Sequence, residues 1–267
     1  MGEPLRDSPL WDIPRPATHG DNALLSRSPA HDLLGRAMPF GVRSKYMMTF
    51  SPSVQPRIDS MAASSSKQAT IAFWLGNYQD VSSSSRAVLH IDNGLYIWFE
   101  VAGGSTVKLH VQDEAGTILD MYTASFTPPS GGTLQHFEIR IDMTDAIATK
   151  ILRDGSPVSV TKATFVNSAI GFAGLTKIGS SPLYTLKADI YDFYLDNQLA
   201  AANSFYDNNG TPHPRFFGYN GEKPTKHKPL IYINGYEPRI GNRGRGGKLN
   251  YNSMPQPAKG AVIPLKG

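Results

Sequence analysis

The chain of 267 residues contains no cysteine. No disulfide can brace it and no thiolate can serve a metal or a redox reaction, so its stability has to come from packing. The lack of cysteine also fits assembly in a reducing cytoplasm. Charge is sparse, with Asp, Glu, Lys and Arg making up 18% of the chain. No apolar run approaches the ~18 residues that a membrane span requires. The opening Met1-Gly2-Glu3-Pro4 has neither a basic n-region nor an apolar h-region, so neither signal peptide nor anchor is expected. The seven histidines are scattered, with none paired at zinc spacing, which argues against a transition-metal site. A long helical period is missing as well.

What the chain does have is alternation. Phe137, Ile139, Ile141 and Met143 occupy every second position, with His136, Glu138, Arg140 and Asp142 between them. That period of two predicts a strand with one buried and one wet face. Ile151-Leu152 opens a second run that ends at Asp154-Gly155, a pair that tolerates the positive φ of a tight hairpin. Leu183–Asp196, carrying Leu186, Ala188, Ile190 and Leu195, is expected to add a third strand to this meander. Upstream, Thr70–Leu75 reads as a strand covered on both faces. Ala87–Ile91 and Leu95–Val101 flank the hairpin signal Asp92-Asn93-Gly94. Val107–Val111 alternates cleanly, and Ile118–Ala124 follows a Glu114-Ala115-Gly116 turn. Short strands recurring at turn signals predict an all-β, antiparallel sandwich over residues 46–206. Leu199–Phe205 is expected to form one helical turn.

The flanks have a different texture. Residues 1–45 hold six prolines, each removing a backbone donor, and read as an extended arm. Residues 207–267 hold eight prolines and the run Gly241-Asn242-Arg243-Gly244-Arg245-Gly246-Gly247, and read as an extended basic segment. Within it, Pro229–Ile233 is apolar and would pair at an edge of the sandwich or of a neighbour. Charge is divided unevenly. Residues 46–206 carry 10 Lys and Arg against 14 Asp and Glu, a net −4, whereas residues 207–267 carry 10 against 3, a net +7. Such a tail suits an acidic partner surface better than nucleic acid here. Trp11, Ile13, Leu24 and Leu25 lack a local core, so with Arg243 and Arg245 they are the expected partner contacts.

Several stretches resemble the laminin G-like, concanavalin A-like jelly rolls. Thr70-Ile71-Ala72-Phe73-Trp74-Leu75 is similar to an early strand of that family. His136-Phe137-Glu138-Ile139-Arg140 through Leu152-Arg153-Asp154-Gly155-Ser156-Pro157-Val158 is similar to its long hairpin, without the tryptophan that precedes the histidine there. Ile178-Gly179 and Asp189-Ile190-Tyr191-Asp192-Phe193-Tyr194 are similar to its closing strands. The stretch from Ser204 through Pro212, then Gly218–Gly221 and Pro229–Gly235, resembles the segment after this domain in bacteriophage virion proteins. The resemblance implies a jelly-roll module with extended N- and C-terminal arms. It further implies a non-enzymatic virion structural protein, for capsid decoration or a minor head or tail position. Such a protein is assembled in the host cytoplasm, is a homo-oligomer or present in many copies on the particle, and is partnered by capsid or tail subunits.

Chemistry is thin. The glucanase signature Glu-x-Asp-x-x-Glu is absent, and Glu138 and Asp142, flanking Arg140, are expected to face solvent, so no catalytic residues and no enzyme activity are expected. No cofactor is expected. Calcium, which laminin G-like relatives bind through loop aspartates, would fall to Asp80, Asp92 and Asp154, against the simpler reading of turn chemistry. The glycine-rich run precedes no helix and is no phosphate loop. The alternative function is a lectin-like module for host-surface glycans, with Tyr78, Tyr96 and Tyr122 as stacking faces, and with Trp98 read as core.

Overall fold

The structure, a computed structural model, describes residues 46–49, 56–61, 65–78, 86–92, 96–102, 106–113, 115–127, 129, 134–180, 185–201, 204–205, 217, 220–233, 241–251 and 258–259. Side chains are described for all of these except residues 46–49, 86, 96–102, 191 and 258–259. The proline-rich arm, with Trp11, Ile13, Leu24 and Leu25, lies outside the described residues.

Among them the chain forms fifteen strands and no helix. In order these are β1 (Tyr46–Thr49), β2 (Arg57–Met61), β3 (Gln68–Gly76), β4 (Arg86–Ile91) and β5 (Tyr96–Ala102). Next come β6 (Thr106–Asp113), β7 (Gly116–Thr123), β8 (Leu134–Asp142), β9 (Lys150–Arg153) and β10 (Ser156–Pro157). The last are β11 (Val160–Phe165), β12 (Gly174–Ile178), β13 (Asp189–Asp196), β14 (Ile231–Ile233) and β15 (Ala258–Lys259). One sheet runs β10-β9-β8-β3-β13-β1-β15, with β14 also paired to β13, and the other runs β11-β7-β6-β5-β4-β12-β2. The pairs are antiparallel, as a jelly-roll sandwich requires.

The expected meander holds for β8, β9 and β10. Asp154 at φ +50° and Gly155 at φ +82° supply the left-handed pair that the two-residue turn demands. It does not extend to β13. That strand pairs with β3, which lies between it and β8. The reason is burial: β3 is apolar on both faces and takes a central place. The irregular spacing of Ile190 and Leu195 also has a cause. The β13 register shifts between Tyr191 and Tyr194, and Asp192 sits at φ +47°. This bulge puts Ile190, Phe193 and Leu195 into one core despite their mixed parity.

Inside the sandwich, Ile71, Phe73 and Leu75 of β3 meet Phe137, Ile139 and Ile141 of β8 and, from the other sheet, Leu109, Val111, Leu119 and Met121. The Phe73 ring stacks on Phe137 at 5.6 Å and on Phe193 at 6.1 Å. A second apolar layer covers the outer face of the first sheet: Ala72, Leu152 and Tyr194 are buried beneath Ala200, Phe205, Phe217 and Tyr232. Thr70 Oγ1 donates to the Gln198 carbonyl at 2.8 Å and accepts the Ala200 N–H at 2.9 Å, fixing the chain as it leaves β13.

That outer layer corrects three expectations. Glu138 is fully buried and Asp142 nearly so: Glu138 pairs with Arg140, which is tied to the Ala201 carbonyl beyond β13, and Asp142 is held by Thr144 and Gln68. Where described, 199–205 holds only a turn at Ser204-Phe205, shaped by this docking. The C-terminal segment is not simply extended. β14 pairs with β13 within the same molecule, and Leu230, Ile231, Ile233 and Leu249 join the inner core. The boundary expected near residue 206 therefore falls inside the folded unit, which reaches at least Tyr251. Apolar residues outnumber what two sheets alone can hide, and a covered face hides the rest.

Candidate functional site

Strand β7 alternates Leu119, Met121 and Thr123 inward against Asp120 and Tyr122 outward. Tyr122 is thereby presented on the outer face of the seven-stranded sheet, with 41% of its surface exposed. Its ladder neighbours are Lys108 on β6 and Thr161 on β11. Two residues along, Asp120 stands opposite His110, with His110 Nδ1 and Asp120 Oδ1 3.5 Å apart. The patch thus combines one aromatic face, an ammonium, a hydroxyl and an imidazole–carboxylate pair. Such a set can pack on the C–H face of a sugar ring and hydrogen-bond its hydroxyls. In the adjoining ladder Trp98 stands opposite His110 and Tyr96 opposite Gln112, while their side chains lie outside the described residues.

The other expected sites fare differently. Tyr78 is buried in the inner core, its N–H donating to the Pro129 carbonyl at 2.8 Å, so it offers no stacking face. Arg245 is engaged within the chain: Nη2 donates to Asn197 Oδ1 at 2.6 Å and lies 3.4 Å from the buried Asp196 carboxylate, and Nε donates to the Lys228 carbonyl. His227 Nε2 approaches the same carboxylate at 2.9 Å. These contacts pin the C-terminal segment to the end of β13, while Arg245, expected as a partner contact, keeps 37% of its side chain exposed. Arg243 donates its backbone N–H to the Tyr232 carbonyl and so belongs to the same docked segment.

The carboxylates are structural. Glu138 accepts from Arg140 Nε at 2.5 Å, and Arg140 Nη2 donates to the Ala201 carbonyl, again fastening the covering layer. Asp142 accepts from Thr144 Oγ1, Thr144 N–H and Gln68 Nε2, and these hydrogen bonds, the Thr144 hydroxyl first, hold its carboxyl below the usual range. Asp154 accepts the His136 N–H at 2.8 Å, and burial pushes its carboxyl up. That is turn chemistry. Asp80 lies outside the described residues, and among those described no three His, Asp or Glu side chains gather as a metal site would need.

Sequence reasoning missed a cleft of about 250 Å³ at one end of the sandwich, where the two sheets part. Phe126, Arg153, Pro157 and Val158 line it, with the hydroxyl residues Ser125 and Ser159 at its rim. Arg153 Cζ lies 5.1 Å from the Phe126 ring centroid, and Phe126 meets Phe137 edge-on at 5.9 Å. The available signal was parity: on β9, Arg153 shares a face with the core residue Ile151.

No protein-family model matches the chain, and no curated protein matches it by sequence. Solved structures do match in shape. A Bacteroides ovatus protein provisionally described as carbohydrate binding is 8% identical with a TM-score of 0.53, over 85% of this chain and 63% of that one. The heptameric SAP-like pentraxin of Limulus polyphemus is 14% identical with a TM-score of 0.44, over 60% and 79%. Domains LG4-5 of the mouse laminin α1 chain are 13% identical with a TM-score of 0.42, over 57% and 41%. The fold is thus an all-β, antiparallel jelly-roll sandwich like that of the Bacteroides protein, and the chain spans less than two thirds of the Bacteroides and laminin chains.

Proposed function

We propose that this chain is a carbohydrate-binding module whose recognition surface is the outer face of the seven-stranded sheet around Tyr122. The observation that carries this reading is the exposure of that ring between Lys108 and Thr161, beside the His110–Asp120 pair. The exposure is local to the β6–β7–β11 part of that face. A protein of similar shape, provisionally described as carbohydrate binding, supports the choice of sugars as the ligand class. Binding without turnover is part of the proposal, since Glu138 and Asp142 are engaged within the fold and cannot flank a glycosidic bond. Attachment to a virion, with host-surface glycans as partner, rests on the sequence resemblance alone.

A glycan array probed with the full chain tests the reading. Retention of a defined glycan set is expected, with Tyr122→Ala weakening binding about 2- to 10-fold, as loss of an aromatic contact worth about 0.5–1.5 kcal/mol implies. An array without signal, or equal binding by Tyr122→Ala, overturns it.

A further inference from the structure

We infer that the cleft at the end of the sandwich is a second binding site, for the carboxylate of a small acidic sugar, and that Arg153 is the residue that receives it. The argument begins from position. Ile151 and Phe137, the strand neighbour and the ladder partner of Arg153, both belong to the inner core. The register therefore directs Arg153 toward the space between the sheets, where it is half-buried at the cleft. Its guanidinium rests on the Phe126 ring at 5.1 Å, which offers an attractive π face but no hydrogen-bond acceptor. Among the described residues no carboxylate forms an ion pair with it. Asp154, next in sequence, accepts the His136 N–H and acts on Arg153 only as a neighbouring charge, without a hydrogen bond between them.

The space beside it has the right character. At about 250 Å³ the cleft is smaller than the ~300–1,000 Å³ pockets that enclose drug-sized ligands, and suits one sugar ring. Pro157 and Val158 give an apolar wall, and Ser125 and Ser159 give hydroxyls that either donate or accept. A planar carboxylate matches the guanidinium fork through two parallel hydrogen bonds, while the ring body packs on the wall. A neutral sugar cannot form this charge-assisted, two-bonded pair. This site lies inside the end of the sandwich, whereas Tyr122 is on the outer sheet face, so the inference stands apart from the sheet-face reading.

The test is titration of the full chain with D-glucuronate, with D-glucose as the uncharged counterpart and inorganic sulfate as an anion without a ring. The readouts are calorimetry and the Arg153 Nε–H resonance in a ¹H–¹⁵N spectrum. Glucuronate is expected to bind saturably and shift that resonance, glucose not to bind, and sulfate to bind more weakly. Arg153→Gln should weaken glucuronate binding about 10-fold or more, the scale of a lost charge-assisted hydrogen bond. Arg153→Lys, which keeps the charge but not the fork, should fall between. Melting temperatures check that both variants are folded, and unchanged capture of neutral glycans by Arg153→Gln separates this site from the Tyr122 face. Absence of saturable glucuronate binding, equal binding of glucose, sulfate as tight as glucuronate, or an Arg153→Gln variant that binds like the parent would each overturn the inference.

Discussion

Replacing Gly244 by alanine should loosen the C-terminal segment, whereas the same change three residues earlier should not. Residues 241–247 lie against the backbone of Pro229-Leu230: the Gly246 N–H donates to the Leu230 carbonyl at 2.8 Å, the Arg245 N–H to Pro229, and Asn242 Nδ2 to Leu230 at 3.1 Å. A Cβ at 244 would stand 2.6 Å from the Leu230 carbonyl carbon, nearer still to its oxygen, and 2.8 Å from the Pro229 oxygen. Real Cβ atoms keep at least 3.0 Å, so the two backbones must separate by 0.4 Å or more. No flexible side chain is available to yield. Overpacking of this kind costs about 1–3 kcal/mol, and weakening the two hydrogen bonds on Leu230 adds about 1 kcal/mol. The expected destabilisation of Gly244→Ala is thus about 2–4 kcal/mol in urea denaturation of the full chain. At Gly241 a Cβ meets nothing within 4 Å, so Gly241→Ala should change stability by less than about 0.5 kcal/mol. If the two variants denature alike, the segment is not packed on Leu230 in solution, and the covered sheet face described above is wrong.

Three further outcomes follow from the same geometry. A chain cut after Tyr206 should be aggregation-prone, because it loses Leu230, Ile231 and Ile233 from one core and Phe217 and Tyr232 from the other, while a chain through Tyr251 stays soluble in size-exclusion chromatography. Phe217→Ala should cost about 3–5 kcal/mol by chemical denaturation, since its ring meets Phe205, Tyr232 and Tyr194 edge-on at 5.2, 6.0 and 6.3 Å. Asp142→Ala should cost about 1–3 kcal/mol at neutral pH through lost hydrogen bonds to a buried carboxylate. The Asp142 carboxyl is held below its ordinary value, so its contribution is complete above the unfolded value of 3.8 and fades as pH falls through the folded one. Parent and variant stabilities should converge in acid; a gap that stays constant there would show that the carboxylate is not what matters.

Much of the sandwich was legible because strand alternation is local. Phe137, Ile139 and Ile141 announce their own face, and Asp154-Gly155 announces its turn. What alternation does not reveal is what lies over the outward residues. Glu138 and Asp142 look like a wet face, yet Glu138 and its partner Arg140 meet the chain at Ala201, and Asp142 meets Gln68, both distant in sequence. The glycines at 244 and 246 look like a flexible basic tail, yet their missing side chains permit close approach to Leu230. Of the candidate site, Tyr122 was legible from its outward parity, and Tyr78 was misread because its neighbours carry no clear period. Arg153 needed the register as well: only opposite Phe137 does its inward direction become plain.

The antiparallel bridge between Arg57 and Asn250, which exchange both backbone hydrogen bonds at 2.9 and 2.8 Å, joins residues 193 positions apart. β1 similarly waits for β15, and the Phe193–Leu195 edge of β13 waits for β14. A ribosome adding 5–20 residues per second needs roughly 10–40 s to travel from Arg57 to Asn250. Throughout that interval the nascent chain carries an open strand edge and an uncovered apolar sheet face, both of which invite pairing with neighbouring chains. Closure is therefore a late event in biosynthesis. When the protein is produced at high level, the yield of soluble material will depend on chaperone supply and on the rate of elongation, more than on the final stability of the folded state.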